Sequence, residues 1–181
     1  MSSTDKPVVH GHSRTFTVAD LDAPTQPLLA VMVDLFQQGQ TSHHAAFPAH
    51  FGPASDSAPI ARYCRGFLKP RNPFRKRSGF AKGLFIDGVL AGHVLYRLNK
   101  GYNVFYGSPR WSCFIEDITI TETARGTGGA SALMEALLAD MEALGQCVIS
   151  GTVWNMNAAS AALFTKHGFE PLSRAFHKVL P

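Results

Sequence analysis

Between residues 111 and 144 the chain reads as a strand, a glycine turn and a helix in that order, and this unit constrains the fold more than any other feature. WSCFIEDITIT alternates β-branched and aromatic residues with polar ones, the pattern of a half-buried strand. ARGTGGASAL follows, and LMEALLADMEAL then places Leu133, Leu137, Met141 and Leu144 on one helical face until Gly145 stops the run. The first turn of such a helix presents unpaired N–H groups and the positive end of its dipole, so a phosphate is the natural guest. The stretch is not a Walker loop, because no Gly-Lys-Ser/Thr follows. Nor is it a dinucleotide fingerprint: Ser131 stands where the third small contact belongs, and no acid ends the next strand, QCVISGTV. Taken alone, a glycine turn that holds nothing is an equal reading.

The rest of the chain supplies compatible elements. SRTFTV (13–18) reads as a first strand, and PTQPLLAVMVDLFQQG as a helix with Leu28, Leu29, Met32, Leu35 and Phe36 on one stripe, closed by Gly39. From Thr41 to Pro59 the composition predicts a long irregular connection, with IARYCRGFL as a short helix inside it. AKGLFID and VLAGHVLYRL flank an Asp-Gly turn and predict a hairpin, followed by a loop from Asn99 to Arg110. QCVISGTVW is a further strand. Asn157 can cap a helix through AASAALFTKH that ends at Gly168, with Phe169 placed for the contact that follows a glycine C-cap, and RAFHKVL closes the chain as a strand.

Length and composition fit one soluble globular domain over residues 13–181 behind a polar tail, 1–12, since 45% of the 181 residues are hydrophobic and 17% charged. No apolar run is long enough for a membrane span, and the first residues lack a secretory core, so the cytoplasm is the expected compartment. Cys64, Cys113 and Cys147 are too scattered for a disulfide framework or a metal knuckle. His10, His12, His43, His44 and His50 lack helical ligand spacing with an acid beside them, so no metal site is expected. The basic run KPRNPFRKR (69–77) carries no nucleic-acid-binding signature and is read as the edge of a cofactor or acceptor site.

In this context, Arg125-Gly126-Thr127-Gly128-Gly129-Ala130 after FIEDITI resembles the acyl-CoA-binding motif of the GNAT superfamily of N-acetyltransferases, Gln/Arg-x-x-Gly-x-Gly/Ala. The family's second element is similar to the segment carrying Asn157, Ser160, Leu163, Phe164 and Gly168-Phe169. The resemblance implies an α/β GNAT fold, with a mixed, mainly antiparallel sheet of six to seven strands flanked by helices, and acetyl-CoA as co-substrate. It implies that backbone N–H groups from Arg125 to Ala130 hold the pyrophosphate and that Ile118, Thr119 and Ile120 pair with the pantetheine arm. Asn157, Ser160 and Phe164 would flank that arm. Homodimers, frequent in the family, are expected here.

The chemistry implied is direct transfer of an acetyl group to a primary amine. An alkyl ammonium has a pKa near ~10.4, so a base must take a proton. The resemblance assigns that role to Glu116, by analogy with the "IED" strand of small-amine and polyamine acetyltransferases, and the oxyanion donor to the N–H of Ile118. Alternation along the strand sends Asp117 to the opposite face. Phe164 stands where the family often has a tyrosine acid; Ser160, Thr165, Tyr102 or Tyr106 are candidate substitutes. A small-molecule amine, polyamine-like or amino-acid-like, is the leading acceptor. A protein N-terminus or lysine, or a catalytically weak acyl-CoA sensor, are the alternatives.

Overall fold

Asp87 and Gly88, with φ of 51° and 81°, supply the two left-handed positions that a tight turn between twisted strands needs. The predicted hairpin forms around them from β2, Arg77–Ile86, and β3, Val89–Asn103. The computed structural model describes residues 16–23, 25–53, 56–68, 77–103, 108–145 and 147–178. β1, Phe16–Asp20, lies antiparallel to β2, and β4, Ser108–Ile120, antiparallel to β3. β5, Cys147–Gly151, runs parallel to β4 and completes a five-stranded sheet in the order β1-β2-β3-β4-β5. A parallel neighbour needs a crossover, and α1 and α2 are already spent earlier in the chain at Gln26–Ala46 and Ser57–Arg65. The crossover is α3, Gly129–Ala143, and α4, Ala158–Lys166, follows β5.

Strand alternation builds a core on each face of the sheet. On one, Leu84, Val94, Tyr96, Cys113 and Ile115 pack with Leu133, Met134, Leu137 and Met141 of α3 and with Phe164 of α4. On the other, Ala81, Leu90 and Leu95 meet Leu29, Met32 and Val33 of α1 and Ile60 and Cys64 of α2. Each large aliphatic side chain buried this way contributes roughly 1.5–3 kcal/mol. Lys82, only 7% exposed, reaches Asp20 at 2.8 Å and Asp140 at 3.0 Å and so ties β1 and α3 to β2.

Several expectations are corrected. Helix α1 does not stop at Gly39 but continues to Ala46, because an internal glycine costs only about 1 kcal/mol and Pro48 is the first true breaker. The loop expected over 99–110 is largely strand, with β3 reaching Asn103 and β4 starting at Ser108. Five strands are present among the described residues rather than six or seven. The C-terminal strand expected at RAFHKVL has no ladder over its described part, 174–178, and Leu172 and Phe176 are 83% and 92% exposed, without a face to cover. The glycine stops are as expected: Gly145 and Gly168 adopt φ of 84° and 80°, and the Phe169 N–H returns to the Phe164 carbonyl at 3.1 Å.

Candidate active site

The turn from β4 into α3 is built by two left-handed glycines. After a short 3-10 turn, Glu122–Ala124, the chain passes through Gly126 at φ 75° and Gly128 at φ 90°, the latter serving as the N-cap of α3. Thr127 Oγ1 donates to the Ala124 carbonyl at 2.6 Å and pins the loop. The first N–H to bond along the helix is that of Ala132, to the Gly128 carbonyl at 3.0 Å. The N–H groups of Gly129, Ala130 and Ser131 are therefore left for another acceptor, and the first turn carries no acid to take them. A Cβ at Gly126 or Gly128 would meet no protein atom within 4 Å, so these glycines face open space. Gly129 differs: a Cβ there would collide with buried Leu84, and its bareness is what lets α3 settle on β2.

That space is the end of a groove of about 650 Å³. It exists because pairing between β4 and β5 stops at Ile115 opposite Gly151, while β4 continues to Ile120 without a partner on that side among the described residues. Ile118, Thr119, Ile120, Arg125, Gly126, Gly128, Gly129, Ala130, Asn157 and Ser160 all line it. Asn157 caps α4, accepting from the Ser160 N–H at 3.0 Å, and this brings α4 to the groove wall. Thr127 and Glu116 are not among the lining residues, and neither is Phe164. The Phe164 ring is 9% exposed, packs against Phe169 at 4.8 Å, and occupies the place a Gly151 side chain would need. Of the expected substitutes for the missing acid, Ser160 lines the groove and Thr165 does not; the side chains of Tyr102 and Tyr106 lie outside the described residues, as does most of the basic run 69–77.

Sequence reasoning missed the α1 wall, made by Gln38, Gly39, Ser42 and His43. It also missed Lys166, whose Nζ donates to Ser131 Oγ at 2.7 Å beside the glycine turn. His167 Nε2 lies 3.2 Å from the same oxygen.

The two acids of β4 do not separate as alternation predicts. Leu95 pairs with Asp117 and Tyr96 with Ile115, so Glu116 is the extra residue of a β-bulge and the phase of the strand slips there. Both carboxylates consequently reach the face covered by α1 and α2. Glu116 takes the Arg97 Nε–H at 2.5 Å, and Arg97 lies 4.7 Å over the Phe67 ring. The Tyr63 hydroxyl of α2 points to Glu116 Oε2 at 3.4 Å. Burial, then the Glu116 charge, push the Tyr63 phenol well above its usual range, so it stays protonated and can donate. Asp117 Oδ2 contacts Nε2 of fully buried His93 at 2.7 Å and receives the Thr119 hydroxyl at 3.0 Å.

His43 completes this end of the groove. Its ring stands 6.0 Å from that of Trp154, which follows β5, and 5.2 Å from that of Phe51. Burial lowers its pKa below the ordinary 6.5, against the opposing pull of the Asp117 charge. The imidazole is therefore neutral at pH 7.

The acetyltransferase (GNAT) family model matches residues 42–169. Among solved structures, an aminoglycoside N-acetyltransferase, AAC(6')-Iy in complex with CoA, is similar over 93% of this chain and 97% of its own, at 16% identity and a TM-score of 0.62. A ribosomal-protein-alanine N-acetyltransferase from Brucella melitensis biovar Abortus 2308 is similar over 93% and 100%, at 14% identity and 0.56. A tetramutant of the BH1408 protein from Bacillus halodurans is similar over 91% and 99%, at 15% identity and 0.69. At these identities the likeness is one of fold. Compared by sequence with curated proteins, the chain finds no match. The family match takes in the turn from β4 to α3 and the segment from Asn157 to Phe169, and the chain belongs to the acetyltransferase (GNAT) family, whose enzymes are acetyl-CoA-dependent N-acetyltransferases.

Proposed function

We propose that this N-acetyltransferase acts on a primary amine of a small molecule, polyamine-like or amino-acid-like, by direct attack on the thioester of acetyl-CoA. The observation that carries the reading is the phosphate-suited end of the groove, where the start of α3 offers unpaired N–H groups and Lys166 stands beside them. Glu116 and Asp117 lie outside the groove lining, on the face of β4 covered by α1 and α2 and next in sequence to Ile118, which lines it, and their carboxylates are suited to drawing an ammonium group toward that strand.

In this reading acetyl-CoA supplies the activated acyl group. Backbone N–H groups from Gly126 to Ala130 hold its pyrophosphate, the expected Arg125 N–H being already donated to the Glu122 carbonyl at 3.2 Å, and the glycines there fit because no side chain fills the cradle. The unpaired edge of β4 over Ile118, Thr119 and Ile120 receives the pantetheine arm as an added strand. The Ile118 N–H is the oxyanion donor. Glu116, tied to Arg97 and outside the groove lining, draws the ammonium group electrostatically and exchanges protons with it through water. Of the neighbours of like fold, the aminoglycoside N-acetyltransferase is named for a small-molecule amine, which supports the proposal, and the ribosomal-protein-alanine N-acetyltransferase for a protein amine, which supports the alternative of a protein N-terminus.

The test is mass-spectrometric detection of acetylated product after incubation with acetyl-CoA and spermidine, kanamycin, free amino acids or a peptide beginning with alanine. Turnover of one of the first three above the protein-free background supports the proposal. Turnover of the peptide alone moves the acceptor to a protein N-terminus.

A further inference from the structure

Resting on that reading, we propose that His43 is a catalytic residue which takes the proton of the acceptor amine and returns it to the departing thiol. The role has no other visible occupant in the groove. Phe164 has no proton to give and is packed away beneath Gly151. Glu116 is held by Arg97, and His93 is fully buried behind Asp117. His43 lines the groove itself, and among the described residues neither of its ring nitrogens is hydrogen-bonded.

Its position is set from three sides. Asp117 of β4 acts on it electrostatically, Trp154 from the exit of β5 touches its ring, and Phe51 packs on it from the chain after α1. It therefore stands where β4 and β5 part, next to the strand whose Ile118 N–H would hold the oxyanion. The charge that acts on it is that of Asp117 on β4; the other titratable groups near it are His44 on its own helix, whose Nδ1 is engaged by the Phe51 carbonyl at 2.6 Å, and His177, whose ring is tilted against Trp154 at 5.6 Å. The cations lining the groove are Arg125 and Lys166, beside the α3 turn.

The step balances without a further reagent. Once the ammonium group has given its excess proton through water to Glu116, the neutral amine nitrogen bonds to the acetyl carbon, the carbon–sulfur bond breaks with its electron pair going to sulfur, and the second proton on nitrogen passes to His43. The imidazolium formed then protonates the thiolate and is neutral again for the next turnover. A pKa held below the ordinary histidine value suits both halves, since the resting ring is a base at neutral pH and the protonated ring a ready acid.

The experiment compares wild type with His43→Gln and His43→Ala on whichever amine of the panel above is turned over, from about pH 5 to about pH 9, with acetyl-CoA binding measured on each protein. His43→Gln is expected to lose about 10²-fold or more in kcat at neutral pH and to lose the acid limb of its pH profile, with cofactor binding retained. Added imidazole should revive His43→Ala. An unchanged acid limb in His43→Gln, or His43→Ala that binds cofactor and ignores imidazole, overturns the role of His43 alone. Absence of turnover by wild type with every amine, while acetyl-CoA is retained, overturns the proposed function and the His43 role with it.

Discussion

Replacing Gly128 with alanine separates the two things this residue does. Its φ of 90° and ψ of −3° lie in the left-handed region, where an L side chain costs about 1–2 kcal/mol. No protein atom lies within 4 Å of the new methyl, so no steric term adds to that figure. For a chain of this size, each kcal/mol moves the melting temperature by about 2–4 °C, which predicts a fall of about 2–8 °C. The methyl would, however, stand in the cradle of N–H groups at the start of α3. Loss of one hydrogen bond to a charged phosphate costs about 1.5–3 kcal/mol, or roughly ten- to a hundredfold in affinity for acetyl-CoA. Gly145→Ala is the matched control: its φ is 84°, its Cβ also meets nothing within 4 Å, and it sits at the other end of α3, outside the groove lining. Thermal melts should show similar losses for the two variants. Titration calorimetry should show weakened acetyl-CoA binding for Gly128→Ala alone. Equal affinities in the two variants would refute the assignment of the cradle to the pyrophosphate.

Phe164→Tyr should not restore a general acid. The added hydroxyl attaches to the ring carbon wedged against Gly151, with no polar partner offered by that core, so urea denaturation should report a loss of about 1–3 kcal/mol; a rise in kcat would show that position 164 reaches the thiolate after all. Lys82 has a raised pKa: desolvation pulls it down, and its bonds to Asp20 and Asp140 more than reverse that. Its contribution is therefore fully present below the ordinary 10.5 and lost as pH rises through the higher folded value, so wild type should lose more stability than Lys82→Met across that alkaline window, and parallel losses would contradict this. Burial pushes the Cys64 thiol up to about 11, helped by the Asp117 charge, and the Cys113 thiol up to about 12. A thiolate-directed reagent at about pH 8 should label half-buried Cys147 first and the other two only on unfolding, which peptide mapping of the labelled protein would check.

Much of the fold was legible because its signals are local. The Asp-Gly hairpin, the apolar stripe of α3, the Asn157 cap and the stops at Gly145 and Gly168 each depend on residues within a few positions of one another, and each is found where the spacing puts it. The glycine turn was legible for the same reason, while the positive φ at Gly126 and Gly128 is what the structure adds. The β4 bulge was not, because nothing in Ile115-Glu116-Asp117 marks it. It arises from how β3 and β4 pair around Leu95 and Tyr96, and without it Asp117 would not share a face with Glu116. Position 164 was legible as a departure from the family pattern, while the depth of its burial, set by the approach of α4 to Gly151, was not.

The reading of α1 shows how a small error of local energetics hides a site. Gly39 reads as a helix-closing glycine, yet its helical cost of about 1 kcal/mol is too small to end a run whose next residues remain compatible with helix as far as Pro48. Once the helix is carried past Gly39, Ser42 and His43 fall three and four residues beyond it and share its face, and that face is the one turned to the groove. In a loop, His43 is one histidine among several with no geometry to single it out. Read as helix, it is the ring placed opposite the open edge of β4 by a glycine that leaves the wall one turn earlier bare, and the pH profile of its variants bears directly on whether the groove is a catalytic site or only a binding one.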